Sequence, residues 1–410
     1  MKSIKKRRNK ATIAAMIGTA LEYYDMSLYG FMAPLLVSIF LPTFDTLNAL
    51  LITFIFTPIS IIVRPLGALV IGKIGDKYGR RKGLAISIGG MALATGLIGL
   101  LPTYQQIGFL APVLFIILRS LQGFFVAGEY NGGAIFVLEH TEGNKGLLSG
   151  IYCMYTVVGI LAAAATATFV SYLPNAYWRL PYLIGFITGI VGLYIRKHIK
   201  ESPKFLKYKH VDNISLKDIA KKYKLILILI GVSSFFSALY VLPTILMNSL
   251  LPLATPYKLP TIMSVNAAAT VVYMLTLPIF GHVADKLSFN KSMSIAGGIL
   301  FIASYPLISL ISYQKLEYII LMKMCFAVIT AWFVSPFHAW AQSLFHTKER
   351  YTAISFSYSI GSQLGGFMVP LSLWAWKQTH SLSAIYYILM FWAIIALIAL
   401  YFERRAEKHD

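Results

Sequence analysis

The sequence predicts an all-α polytopic membrane protein with 12 transmembrane helices in two six-helix pseudo-repeats. Three observations lead there. Of 410 residues, 57% are hydrophobic and only 13% charged, whereas a soluble domain carries about 25% charged residues. The apolar residues form runs long enough to cross about 30 Å of hydrocarbon, which takes about 20 helical residues. A short motif also recurs at half the chain length. Gly72-Lys73-Ile74-Gly75-Asp76-Lys77 follows the second apolar run, and Gly281-His282-Val283-Ala284-Asp285-Lys286 follows the eighth. A soluble enzyme, a nucleic-acid-binding domain and a disordered chain are excluded as the main body.

The expected spans are 11–39, 48–72, 83–101, 107–138, 146–172, 179–197, 225–251, 258–284, 292–311, 317–345, 350–375 and 383–402. The first follows a basic start, Met1 to Lys10. It outruns a signal-peptide core of about 7–15 residues and contains Glu22 and Asp25, so it reads as an uncleaved membrane helix. The net charge of +20 is a topology signal rather than a nucleic-acid footprint. With the N-terminus inside, 29 Lys or Arg fall on the cytoplasmic side and four outside, namely Arg179, Lys258, Lys315 and Lys377. That asymmetry puts both termini in the cytoplasm.

The domain organisation follows: an N-terminal half at 1–197, a cytoplasmic basic linker at 198–224 and a C-terminal half at 225–410. Within the linker, Ile214 to Tyr223 is amphipathic and basic, which suits the inner membrane face. Cys153 and Cys325 lie far apart inside apolar runs and read as buried thiols. The eight His are scattered without metal-ligand spacing, so neither metal nor cofactor is expected.

Charges at bilayer depth cost at least about 2.5–3.5 kcal/mol each and suggest function by default. Five stand out: Glu22 and Asp25 in span one, Arg64 in span two, Arg119 and Glu129 in span four. Helical spacing puts Tyr29 between the two carboxylates of span one, and puts Gln122 on the face of Arg119 and Glu129. Two readings fit. The charges are static ion pairs that fix helix register, or they form a proton and substrate site. In the second, Asp25, Glu22 and Glu129 carry the proton, and Arg64, Arg119, Tyr29 and Gln122 meet the substrate, an arginine gripping a carboxylate through two bonds. In the C-terminal half, Lys323 is expected to snorkel toward the outer surface and His338 to pack with a hydrogen bond. Gly159, Gly361, Gly365 and Gly366 are expected to serve packing or bending.

The segment Arg64-Pro65-Leu66-Gly67 with Gly72-Lys73-Ile74-Gly75-Asp76-Lys77-Tyr78-Gly79-Arg80-Arg81-Lys82 resembles the loop signature of the major facilitator superfamily. The resemblance implies the major facilitator fold. It also implies a conformational latch made by Gly72, Asp76, Gly79, Arg80 and Arg81, with Asp285 in the second copy. That copy lacks the Gly-Arg-Arg part and reads Ser288-Phe289-Asn290-Lys291, so a weaker second latch is expected. Gly18 to Gly30, Arg119 to Tyr130, Trp178 to Tyr182 and Glu201 to Phe205 are similar to the metabolite:proton symporter family. That likeness implies proton-driven uptake of a small metabolite such as proline, betaine, 2-oxoglutarate, citrate or shikimate. The expected setting is a monomer in a bacterial inner membrane, its partners the solute, protons and the lipid bilayer, with no nucleic acid. A facilitator or exchanger of the same solute class is the alternative. The long C-terminal coiled coil of osmosensing members is absent, so gating by such a tail is not expected.

Overall fold

A computed structural model describes residues 2–40, 57–208 and 216–406. Among them the chain is helical throughout, without strands. Residues 48–56 of the second expected span, and Ile214 and Ser215 of the basic stretch, lie outside the described residues. The long helices are α1 (Lys2–Phe40), α2 (Thr57–Tyr78), α3 (Arg80–Leu100), α4 (Leu110–Glu139), α5 (Lys145–Ser171) and α6 (Leu180–His198), then α7 (Tyr223–Ala254), α8 (Leu259–Leu287), α9 (Phe289–Ser309), α10 (Leu316–Ser343), α11 (Arg350–Gly366, resuming as Met368–Thr379) and α12 (Ser383–Ala406).

Nine of the described helices are long and apolar enough to cross a membrane. The other three long segments carry the exceptions: α1 holds Glu22 and Asp25, α2 holds Arg64, Lys73, Asp76 and Lys77, and α11 breaks at Phe367. Prolines and glycines shape the helices locally. Pro181 and Pro260 open α6 and α8, where a missing N–H costs nothing. Pro243 lies in a π turn, Leu242–Leu246, inside α7.

The contacts divide the chain into two units, Met1–Thr141 with Tyr155–Ile214 and Thr347–Phe356, and Glu142–Met154 with Ser215–His346 and Ser357–Asp410. In the first unit α3 packs on α4 and α6, α2 on α4, and α1 on α6 and α4. Close approach needs small residues. A Cβ on Gly67 would sit 2.0 Å from the Phe124 carbonyl oxygen. An apolar cluster with Leu28, Phe40, Phe115, Trp178 and Tyr182 fills this unit toward the ends of α1 and α3. In the second unit α7 and α9 pack on α12, and α8 and α9 on α10.

The repeated motif forms equivalent turns. Gly79 joins α2 to α3 at φ 114° and ψ 149°, and Ser288 joins α8 to α9 at φ 84° and ψ 149°. The offset of 209 residues carries one position onto the other. Glycine adopts this backbone freely, whereas Ser288 holds it under strain.

Candidate functional site: a buried charge cluster in the first unit

Four helices build the first cluster. Asp25 on α1 is buried and accepts a hydrogen bond from the Thr95 hydroxyl on α3 at 3.3 Å. Thr95 Oγ1 in turn accepts from the Gln122 amide nitrogen at 2.6 Å. Arg119 donates to the Gln122 amide oxygen at 2.6 Å. The result is a continuous relay from guanidinium to carboxylate through two neutral side chains. The Arg119 guanidinium lies 4.0 Å from the centre of the Tyr29 ring, within cation–π range. The charge of Arg119 also acts on the buried Tyr182 of α6. Gly185, one turn along α6, makes room: a Cβ there would meet Asp25 Oδ1 at 2.1 Å. Tyr29, Phe115, Phe40 and Trp178 form a chain of ring contacts beside the cluster: Tyr29 tilted on Phe115, Phe115 stacked on Phe40, and Trp178 edge-on to Phe40.

A second layer lies on the same helices. Arg196 of α6 is buried and pairs with Glu129 of α4 at 2.5 Å. It also donates to the Ala15 carbonyl at 3.2 Å, and its guanidinium fills the space beside Gly18. Glu22 is buried, and neither of its carboxylate oxygens has a hydrogen-bond partner among the described residues. The charges acting on it are those of Glu129, Arg196, Arg64 and Asp25. Arg64 is half-buried. The seven expected proton and substrate residues therefore gather in one unit, as two adjoining layers.

The sequence reading missed several members. Arg196 stands beside Lys197 at the cytoplasmic end of the sixth expected span and is not among the five charges singled out at depth, but its side chain turns inward to Glu129. Pairing with Glu129 and the hydrogen bond to Ala15 offset the cost of burying its charge. Thr95 and Tyr182 are uncharged and gave no signal. Lys323 corrects a second expectation. It does not snorkel: it is 1% exposed, and its ammonium donates to Asn248 Oδ1 at 3.0 Å, Asn266 Oδ1 at 3.1 Å and the Pro243 carbonyl at 3.3 Å. Three acceptors satisfy its three donors, which removes the need to reach water. His338 packs edge-on against Tyr152, with ring centres 5.3 Å apart.

The residues expected to form the latch lie at and beside the motif turns. Asp76 accepts from the backbone N–H groups of Tyr351 at 3.2 Å and Thr352 at 2.8 Å, and from the Thr352 hydroxyl at 2.7 Å. A carboxylate is favoured at a helix N-terminus, here the start of α11. Arg80 is buried, pairs with Asp76 at 2.5 Å and reaches Glu139, which also holds Arg350 at 3.2 Å. Gly72 allows the approach of Thr352, whose Cα would lie 2.6 Å from an added Cβ. Glu201, adjoining the Gly79 turn, accepts from the Arg81 backbone N–H at 3.1 Å. In the second copy Asp285 accepts from the N–H groups of Gly146 at 2.7 Å and Leu147 at 2.9 Å, at the start of α5. These two carboxylates explain why residues 347–356 group with the first unit and 142–154 with the second.

Residues 15–370 match the Major Facilitator Superfamily family model. Over 411 aligned residues the chain is 30% identical to the proline/betaine transporter of Escherichia coli strain K12, covering 95% of this chain and 82% of that protein. It is 29% identical to the glycine betaine/proline/ectoine/pipecolic acid transporter OusA of Dickeya dadantii, covering 98% of this chain and 84% of that one. Two solved structures share the fold. The proton:xylose symporter XylE bound to 6-bromo-6-deoxy-D-glucose has a TM-score of 0.73 at 13% identity, covering 98% of this chain and 96% of that one. The human organic anion transporter MFSD10 has a TM-score of 0.70 at 13% identity, covering 96% and 99%.

Proposed function

The chain belongs to the major facilitator superfamily and is a multi-pass membrane transporter rather than an enzyme, and we propose that it moves a small carboxylate-bearing metabolite in symport with protons by alternating access. The observation that carries this is the relay from Arg119 through Gln122 and Thr95 to Asp25. In it, a buried carboxylate and a half-buried guanidinium share one hydrogen-bonded path without touching. A carboxylate placed in a dry polar site is suited to binding and releasing a proton.

The proton resides on Asp25 and is shared with Glu22. Glu129 takes part through Arg196, whose charge serves both Glu129 and Glu22. When Glu22 binds a proton, Arg196 is left to Glu129 alone. The solute carboxylate meets Arg119 or Arg64, with Tyr29 and Gln122 ordering the guanidinium of Arg119. A substrate anion at Arg119 weakens the pull of that arginine on Asp25, which ties solute binding to protonation. Asp76, Arg80 and Arg81 with Gly72 and Gly79, and Asp285 in the second copy, act as cytoplasmic latches that release during the cycle. The relatives are proline/betaine and glycine betaine/proline/ectoine/pipecolic acid transporters by name, and the structural neighbour XylE is a proton:xylose symporter. The setting proposed is a bacterial inner membrane with cytoplasmic termini and a monomeric chain.

The test uses purified protein in liposomes that hold a pH dye, with proline, glycine betaine, 2-oxoglutarate, citrate and shikimate added in turn. Acidification by one solute is expected, and Asp25→Asn is expected to abolish it while radiolabelled exchange persists. Acidification at the wild-type rate by Asp25→Asn would overturn the reading. Exchange without acidification by any solute would establish the facilitator instead.

A further inference from the structure

Charge is balanced in the buried layers of the first unit: Glu22, Asp25 and Glu129 face Arg64, Arg119 and Arg196. The second unit departs from this. Lys323 is buried there, and its hydrogen-bond partners among the described residues, Asn248, Asn266 and the Pro243 carbonyl, are neutral. Among the described residues no carboxylate pairs with it. Glu317 lies on the same helix but on another face and is exposed. Asp285 is engaged at the start of α5, and Glu403 meets Asn290 at the far end of the unit. A buried ammonium with no counter-charge is costly, and dipoles alone offset that cost only partly.

The neighbourhood has a second unusual feature. Pro243 belongs to the π turn of α7, a local widening often found at functional sites. Asn248, just beyond that turn, anchors its own amide nitrogen on the Thr244 carbonyl at 2.7 Å. This aims its oxygen at Lys323. One turn of α7, one residue of α8 and one of α10 thus converge on a single cation.

We infer that Lys323, with Asn248 and Asn266, forms a carboxylate-binding site in the second unit, where a carboxylate of the transported solute supplies the missing counter-charge and displaces a neutral acceptor. The inference rests on the proposed transport of a carboxylate-bearing solute and adds a contact from the second unit. Its ligand is either an organic anion or the acidic end of a zwitterion. The chemistry is the same, and the probes separate the two.

The experiment measures thermal stabilisation of the full-length protein in detergent by succinate, proline and glycine betaine, with choline as the control that lacks a carboxylate. This reads binding without any proton coupling. At least one carboxylate probe is expected to stabilise the wild type, and choline is not. Lys323→Met, nearly the same shape without charge, should raise the half-saturating concentration about tenfold or more, in line with loss of a charged hydrogen bond. Asn266→Asp places a carboxylate beside Lys323 and should produce a similar loss in a protein that stays folded. It serves as the test if Lys323→Met does not fold. Half-saturation unchanged in either folded variant would overturn the site, as would a wild type that no carboxylate probe stabilises. If binding depends on Lys323 but no solute acidifies the liposomes, proton coupling fails while this site stands. If Asp25→Asn abolishes acidification but Lys323→Met binds as wild type, the reverse holds.

Discussion

The Glu129–Arg196 pair offers a direct way to separate structural from coupling roles. Both side chains are fully buried and their charged atoms lie 2.5 Å apart. Removing one partner of a buried pair costs about 3–5 kcal/mol, because the other charge is left uncompensated. The surroundings refine that range. In Glu129→Gln the guanidinium keeps the Ala15 carbonyl and the charge of Glu22, so the cost should fall at about 3 kcal/mol. In Arg196→Met the carboxylates of Glu129 and Glu22 lose the cation that acts on both, and about 5 kcal/mol is expected. The double variant leaves neither charge of the pair and should return to within about 1 kcal/mol of wild type. Unfolding by SDS titration in mixed micelles, followed by tryptophan fluorescence, gives all four stabilities. The buried Trp178 reports on this unit. Proton-coupled uptake should not recover with stability, because Arg196 also serves Glu22. A double variant as unstable as the two single changes added together would refute the pair. A double variant with wild-type coupling would refute the role of Arg196.

Thr95→Val keeps shape but removes both the donor to Asp25 and the acceptor for Gln122; proton-driven accumulation should drop about tenfold or more, as for loss of a hydrogen bond to a charged group, while Thr95→Ser retains it. Wild-type accumulation by the valine variant in the liposome assay would exclude the relay. Ser288→Gly relieves the positive φ of the second motif turn and should stabilise the protein by about 1 kcal/mol. The same unfolding titration reads it, and destabilisation would show that Ser288 is not strained.

The helices were legible because a membrane span must be apolar over its whole length, a signal that survives any detail of packing. The expected spans 83–101, 146–172 and 179–197 correspond closely to α3, α5 and α6. The break in α11 was partly legible, since Gly365-Gly366, expected to serve packing or bending, precedes it; those at Pro243 in α7 and Pro336 in α10 went unremarked. Glu22, Asp25, Arg119 and Gln122 declared themselves through charge at depth and helical spacing. Thr95 did not, since a hydroxyl in a membrane helix usually bonds its own backbone. Arg196 was hidden by its neighbour Lys197 at the start of a basic run. For Lys323 the deciding partners lie 57, 75 and 80 residues away, and no local pattern announces three neutral acceptors.

Gly185 tests whether the geometry around Asp25 matters beyond packing. A methyl group there would lie 2.1 Å from Asp25 Oδ1 and 2.9 Å from Thr95 Cγ2, so Gly185→Ala must turn the carboxylate away or push α6 back. Gly189, one turn along the same helix, gives the control. Its added methyl would meet Ala92 Cβ at 2.5 Å, which also forces α6 and α3 apart but touches no polar group. Overpacking costs about 1–3 kcal/mol at either place, so the two variants should lose similar stability. Only Gly185→Ala displaces the atom that receives the proton in the proposed cycle. Solute-triggered acidification should therefore fall far more in Gly185→Ala than in Gly189→Ala when both are compared at equal amounts of folded protein. Equal losses would mean that helix separation alone governs transport, and the position of Asp25 would then have no special bearing on coupling.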